Sequence, residues 1–324
     1  MPSQVDSNSP AFWLGGTLHL LNSTGGNPPL RADGADQFHL TPARSVGVSH
    51  INPWPLWIEA AWADSDDVVL GWYHQEHWGL CPGSRLAVPQ IGAVISYDGG
   101  NSFQDMGAVL TSGDPYSCSA QNGYFAGGVG DFSVVLDREK KFFYFFFSNY
   151  AGPVESQGIV VARMPYSARF YPVGNVQKYY NGSWSEPGLR GRMTAVFPAK
   201  VSWMSANTNA FWGPSLHWNT YLESYVMLLN HACCTANWPQ EGIYASFSDK
   251  LDDPSSWTKP KKILDNSGWY PQVLGEGAQG TDKQAGRTAR LYIAGFSRWE
   301  IVFDKPQDPP APAPPAPAPP APQF

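Results

Sequence analysis

The chain has 324 residues, room for one large or two medium domains, and its 43% hydrophobic content supplies a sizeable core. Net charge is −6 and no basic cluster stands out, which argues against nucleic acid and anionic membrane as main partners. No apolar run approaches the roughly 20 residues that span a bilayer. Charged residues are only 15% while aromatics reach 14%, with 32 Gly and 30 Pro, a balance that fits an all-β protein with an aromatic-lined groove.

The opening Met1-Pro2-Ser3-Gln4-Val5-Asp6 does not read as a signal peptide, and residues 1–8 are expected as an extension before the fold. From there one unit recurs: an apolar strand, a polar turn, an aromatic strand. The first copy is Ala11–Leu14, Gly15-Gly16, Thr17–Asn22. The second is Leu56–Trp62, a turn over Asp64–Asp67, then Val68–His74. The third runs from Gly130-Asp131-Phe132 to Leu136, turns at Asp137–Lys141, and returns through Phe142–Ser148. The fourth is Gly213–Trp218, Asn219-Thr220, Ser224–Asn230, and the fifth is Tyr270–Leu274, a long loop, then Ala289–Phe296. A third strand follows copies two to four, and an outer strand is expected to hold Phe103, Trp184 and Trp257. Periodic four-stranded units with one aromatic hairpin each predict a five-bladed β-propeller over residues 9–303. A β-sandwich with long loops is the alternative.

Residues 304–324 are Pro/Ala-rich, an extended spacer rather than a folded element. Such a spacer suggests a secreted or cell-envelope protein tethered to a neighbouring domain or surface. The four cysteines lack zinc-type spacing. Cys81 and Cys118 are open to a disulfide across loops or to buried free thiols, and the adjacent Cys233 and Cys234 would strain an ordinary bridge.

In a propeller the starts of the innermost strands and the ends of the second strands converge on one funnel. First-strand starts bring Trp57, Glu59, Asp131, Trp212, Ser215, His217, Tyr270 and Gln272. Second-strand ends bring Asn22, His74, Glu76, Asn149, Tyr150, Asn230, His231 and Arg298, and loops add His50, Trp54, Arg31 and Arg44. Asp131 stands out, because an acid at the mouth of a buried strand pair is costly to leave unpaired. Three carboxylates (Glu59, Glu76, Asp131) among His, Asn and indoles resemble a sugar site. Indoles stack on pyranose rings, and two carboxylates with separated pKa values cleave a glycosidic bond. Asp64, Asp66, Asp67, Asp137 and Glu139 are expected in solvated hairpin tips on the opposite face.

Two further motifs carry a resemblance. Ser96-Tyr97-Asp98-Gly99-Gly100-Asn101-Ser102-Phe103 looks like the Asp-box of sialidase-type propellers, in which the Asp caps its own turn, so Asp98 is read as structural. The Asp131 hairpin, the Gly213-Pro214 segment, and Ser246–Leu251 with Trp257–Pro260 resemble the five-bladed propeller glycosidases of glycoside hydrolase family 43. That resemblance implies a role for Asp131 as tuner of the catalytic acid. It also implies an axial-channel cation such as calcium, not required for the chemistry, that a His such as His217 would face. The chain departs from the family pattern where Trp212 stands for the acid Glu before Gly213-Pro214, and near Ser9-Pro10 where the base Asp is expected.

The expected activity is glycoside hydrolysis of a plant or microbial oligo- or polysaccharide. Glu59 and Glu76 are acid and base in unassigned order and Asp131 is their tuner. His50, Trp54, Trp57, His74, Trp212, His217, Tyr270 and Arg298 would bind substrate. The alternative is a non-catalytic glycan-binding propeller. A sialidase built on Arg31, Arg44, Arg298 and Tyr270, or a protein-interaction propeller, stands behind it.

Overall fold

The computed structural model describes residues 5–24, 28–50, 55–265 and 268–305. Five sheets follow one another along the chain as the blades of a β-propeller. The first blade is β1 (Ala11–Leu14), β2 (Thr17–Asn22), β3 (Leu30–Gly34) and β4 (Arg44–Ser45), in that order outward. In the second, β5 (Gly47–Ser49) lies parallel on the outer edge of β6 (Leu56–Ala63), β7 (Val69–His77), β8 (Val88–Ser96) and β9 (Ser102–Leu110). The third runs β10 (Val129–Leu136), β11 (Phe142–Asn149), β12 (Gly158–Pro165), β13 (Gln177–Tyr180), β14 (Ser183–Pro187), with β15 (Phe197–Pro198) beside β12. The fourth is β16 (Ala210–Asn219), β17 (Ser224–Ala232), β18 (Gln240–Ser248) and β19 (Lys261–Asp265). The fifth holds β20 (Gln272–Gly275), β22 (Thr288–Ile293) and β23 (Phe296–Val302), while β21 (Gln284–Ala285), from the loop after β20, pairs with β16. Among the described residues, no helix is long and apolar enough to cross a membrane.

Alternation along the strands builds the core between blades. On β11, Phe143, Phe145 and Phe147 face the second blade and pack with Trp72, Ile91 and Ala93. Tyr144 and Phe146, one residue out of phase, face the fourth blade and pack with Leu216, Met227 and Leu229. A strand apolar on both faces must be covered on both, and neighbouring blades do that. The run Phe142–Phe147 is thus core, as its composition suggested.

Three expectations shift in detail. Phe103 and Trp184 lie on β9 and β14, but Trp257 follows the short turn Pro254–Ser256 and packs on Phe146 at 5.4 Å, while β19 is the outer strand. In the fifth blade the second strand stops at Ile293. The chain turns at Ala294 and Gly295, both at positive φ, and Phe296 opens the next strand. The hairpin acid Asp64 is not a free turn residue: it accepts from Arg169 Nε at 2.7 Å and Tyr166 Oη at 2.9 Å. Asp98 does cap its turn, accepting the Asn101 and Ser102 amides at 2.9 Å each above the buried Phe103. Cys81 is bonded to Cys118 and Cys233 to Cys234.

The first blade is built from the N-terminal side of the chain and the last from the C-terminal side, with no strand shared between them among the described residues. Side chains close the ring. Gln272 Oε1 accepts the Ser9 amide and Gln272 Nε2 donates to the Ser9 carbonyl, both at 2.7 Å. Asp282 Oδ1 accepts the Ala11 amide at 2.9 Å, and Trp13 Nε1 donates to the Gly280 carbonyl at 2.9 Å. Ala11, Leu18 and Leu20 pack on Leu274 and Tyr292 beneath these bonds. Residues 5–8 lie inside the ring: Asn8 Nδ2 donates to the carbonyls of Phe132 (2.8 Å) and Pro214 (2.9 Å), joining the third and fourth blades. Gln272→Ala leaves the buried Ser9 amide and carbonyl unpaired. It is expected to cost about 1–3 kcal/mol of stability, measured as a lower urea midpoint at unchanged slope.

Candidate active site

The innermost strands of blades two, three and four each carry a β-bulge near the funnel. The register shifts between Ile58 and Ala60, between Gly130 and Phe132, and between Trp212 and Ser215. A bulge re-aims a side chain and takes backbone groups off the ladder. Here it turns Glu59 and Asp131 toward each other. Asp131 sits at φ 43 and Tyr270 at φ 56, left-handed values that cost non-glycine residues about 1–3 kcal/mol each and cluster at functional sites.

The freed amides find acceptors on the second blade. Asp131 N–H donates to His74 Nδ1 at 3.0 Å, and Phe132 N–H to Glu59 Oε2 at 3.0 Å. Gly130 makes the approach to His74 feasible, since a Cβ there would lie 2.5 Å from His74 Cε1. The Asp131 carboxylate accepts from two phenols, Tyr150 Oη on Oδ2 and Tyr270 Oη on Oδ1 at 3.0 Å. Burial, then the Asp131 charge, hold both phenols well above the usual tyrosine range, so both are donors.

Three carboxylates surround one imidazole. Glu59 Oε1 lies 3.4 Å and Asp131 Oδ1 3.9 Å from His74 Nδ1, while Glu76 Oε1 lies 3.7 Å from Nε2 on the other side of the ring. Because the Asp131 amide donates to Nδ1, the neutral ring carries its proton on Nε2, toward Glu76. Burial pushes the His74 pKa down; the hydrogen bond to Glu59 and the charges of Asp131, Glu59 and Glu76 outweigh it and lift it to about 9. A second proton would exchange the amide contact at Nδ1 for one to Glu59. Burial raises Glu59 to about 7, with the Asp131 charge adding to it and His74 opposing. Glu76 is also raised by burial, while the His74 charge and the Trp78 indole N–H on its Oε2 (2.6 Å) favour its ionised form.

Asp6 joins this group from the N-terminal strap, where its amide donates to the Ser23 carbonyl at 3.1 Å. Its side chain keeps contact with solvent, yet protein surrounds it closely enough that burial, then the charges of Asp131 and Glu76, raise its pKa to about 7. Sequence reasoning looked for an acid near Ser9-Pro10. The acid the structure brings there is Asp6, in the segment expected as an extension and the only acid between Met1 and the first strand.

The other candidates divide. Trp57 is the cross-strand partner of His74 and meets its ring edge-on at 5.2 Å. Trp212 stands at the funnel end of β16, fully buried against Trp238, Trp269 and Tyr270. His217 is far from this group: β16 begins at Ala210, so His217 is its eighth residue, toward the opposite face. His50 is exposed after β5, which pairs with the outermost strand of its blade. Arg298 is exposed on β23, the outer strand of the fifth blade, because of the turn at Ala294-Gly295. Trp54 lies outside the described residues. Arg31 and Arg44 both bind Asp33 in the first blade, which removes the arginine cluster of a sialidase-like site.

Glu59, His74 and Asp131 have ligand atoms within 4.8 Å of one another, a spacing compatible with a metal ion. Two phenols and two backbone amides already satisfy these groups, however, and only His74 Nε2 lacks a hydrogen-bond partner among the described residues.

No known protein-family profile matches the chain, and no curated protein matches it. Solved structures do. An exo-β-1,3-galactanase of Phanerochaete chrysosporium, solved with β-1,3-galactotriose, superposes with TM-score 0.52 at 13% identity over 86% of this chain; the match spans 56% of that longer chain. A thermostable family-43 glycoside hydrolase gives 0.53 at 10% identity, covering 93% of this chain and 95% of its own. An exo-1,5-α-L-arabinanase from a bovine ruminal metagenomic library gives 0.51 at 12%, covering 93% and 100%.

Four groups around the funnel bind protons more tightly in the folded state. Asp6 and Glu59 rise from 3.8 and 4.5 to about 7 each, His74 from 6.5 to about 9, and Glu76 in the same direction. At these four groups the native state holds more protons than the unfolded chain through neutral pH, so their contribution to stability falls as pH rises, while the lowered Lys178 and His217 act in the opposite direction. The acids' contribution is complete below their unfolded values and lost as pH rises toward about 7. The His74 contribution is complete below 6.5 and lost through about 9. Urea unfolding across this range should show the decline, and His74→Gln should flatten its alkaline part. In fold, this chain is a five-bladed β-propeller of the kind seen in family-43 glycoside hydrolases.

Proposed function

We propose that the protein hydrolyses glycosidic bonds, with Asp6 and Glu76 as the working carboxyls. The observation that carries the proposal is the grouping of two raised, partly accessible carboxyls, Asp6 and Glu76, around the fully held Asp131–His74–Glu59 set. Glu59 is buried and bonded to the Phe132 amide, so it buttresses His74 rather than meeting substrate. Asp6, raised by burial and by two negative neighbours, is the better proton donor to a leaving oxygen. Glu76, facing His74 and Trp78, is better stabilised as a carboxylate and serves as base toward water. Asp131 supplies a fixed negative charge that keeps the Asp6 proton in place and offsets positive charge at the sugar carbon. Trp78, exposed and bonded through its indole N–H to Glu76, offers the face on which an apolar sugar face stacks, while Trp57 and Trp212 are buried behind the site.

Galactans and arabinans, the glycans named for the structural relatives, are the first substrates to test. Asp6→Asn and Glu76→Gln should each lower kcat about 10²–10⁴-fold. Asp6→Asn should lose less on dinitrophenyl glycosides, whose leaving group needs no proton, and activity should decline above about pH 7 as Asp6 ionises. Equal losses on both substrate types would remove Asp6 as the acid.

A second reading, glycan binding without turnover, is favoured by one observation: the position before Gly213-Pro214 holds a buried indole, Trp212, and no acid. It predicts glycan affinity that survives Asp6→Asn and Glu76→Gln and no product from any substrate. The disulfides and the Pro/Ala tail, most of it outside the described residues, support a setting outside the reducing cytosol.

A further inference from the structure

The innermost strands of a propeller crowd around its axis, and polar groups there must find partners or water. In this chain a side-chain ion pair from the fifth blade meets them. Lys283 lies in the loop after β20, just before β21. Its Nζ donates to Ser133 Oγ on β10 at 2.8 Å and pairs with Asp282 Oδ2 at 2.9 Å. The other Asp282 oxygen accepts the Ala11 amide at the start of β1, and the Lys283 carbonyl accepts the Trp218 amide of β16 at 2.9 Å. The ammonium–carboxylate pair therefore links the inner strands of blades one and three, and the Lys283 backbone adds that of blade four. Asp282 is buried, and Lys283 borders a cavity of about 550 Å³ also lined by Trp62, Trp218 and Gln284.

His217 lies on β16, one residue before Trp218, with its ring 5.5 Å from that of Phe303. It is fully buried, and neither ring nitrogen has a hydrogen-bond partner among the described residues. Burial, then the Lys283 charge, push it down to about 3, so the ring is neutral. A carboxylate, a hydroxyl and a neutral imidazole are donors that suit a divalent cation. The family resemblance implies such an ion in the axial channel. The residues do not fit one here: the Asp282 and Ser133 oxygens are already taken by the ammonium, and a divalent ion on those atoms would face a positive charge at contact distance.

We propose that Lys283 is a built-in axial cation, its ammonium standing on Asp282 and Ser133 where a metal ion would bind, so that the ring holds together without metal. The residue does covalently what a bound ion does by mass action. Removing the side chain should free the Asp282 and Ser133 oxygens and open them to a metal ion.

Thermal unfolding of the whole chain tests this, with EDTA and with millimolar calcium or manganese. Wild type should show one Tm in all three conditions. Lys283→Ala should unfold roughly 5–15 °C lower in EDTA and recover part of that loss with calcium or manganese. Lys283→Arg, which keeps the charge, should remain indifferent to metal and guards against a general folding defect. A wild-type Tm that falls in EDTA or rises with either ion overturns the proposal. So does a Lys283→Ala protein that no ion stabilises, or a Lys283→Arg protein that responds as Lys283→Ala does.

Discussion

The bulge at Asp131 takes the Asp131 and Phe132 amides off the β10–β11 ladder inside a region closed to water. An unpaired buried amide costs about 1–3 kcal/mol, so both must be met from outside their own ladder. The second blade supplies His74 and Glu59. The left-handed turn at Asp131 also points its carboxylate at Tyr150 and Tyr270, and Tyr270 is itself left-handed, its amide held by Asn230 at 3.1 Å. Blades two, three and five, with Asn230 of the fourth, are thus committed to one another through the atoms that form the candidate site. The site is part of what holds the ring together at its funnel end.

That arrangement concentrates negative charge. Glu59, Glu76, Asp131 and Asp6 crowd one imidazole, whose cationic form would have to give up the Asp131 amide at Nδ1, so the four carboxylates have little counter-charge close by. Burial raises Asp6, Glu59 and Glu76, the Asp131 charge adds to each, and at His74 the surrounding carboxylates outweigh burial, so the resolved shifts all point upward. A cluster kept partly protonated at neutral pH suits general acid catalysis. Stability at higher pH is the physical cost.

Ring closure and site assembly share one segment. Ser9 is clamped by Gln272, Asn8 bridges the carbonyls of Phe132 and Pro214, and two residues before Asn8 the strap delivers Asp6 to the funnel. At the other end of the axis, Asp282 holds the amide of Ala11 while Lys283 reaches Ser133. Both ends of the channel are tied by side chains from the N-terminal strap and the fifth blade, the two segments that have no common sheet.

Much of the fold was legible in the sequence because it follows from local rules. Period-two alternation and turn chemistry place the first four hairpins within a few residues, and the Phe142–Phe147 run announces a strand covered on both faces. The same rules bring Glu59, His74, Glu76 and Asp131 to one funnel, since strand direction alone decides which ends meet. What only the tertiary structure decided depends on contacts between blades. Bulges fix which acid is buried and which is reachable, so Glu59 is closed in on the Phe132 amide. Strand length fixes depth, so His217 moved down the axis, and a turn at Ala294-Gly295 moved Arg298 outward. Asp6 and Lys283 lie outside the regular hairpins, and what places them, the Ser23 carbonyl for the Asp6 amide and Ser133 for the Lys283 ammonium, is distant in sequence. Hydrophobic periodicity reports which face of a strand is covered; it carries no information about which distant polar group will satisfy a buried amide or carboxylate.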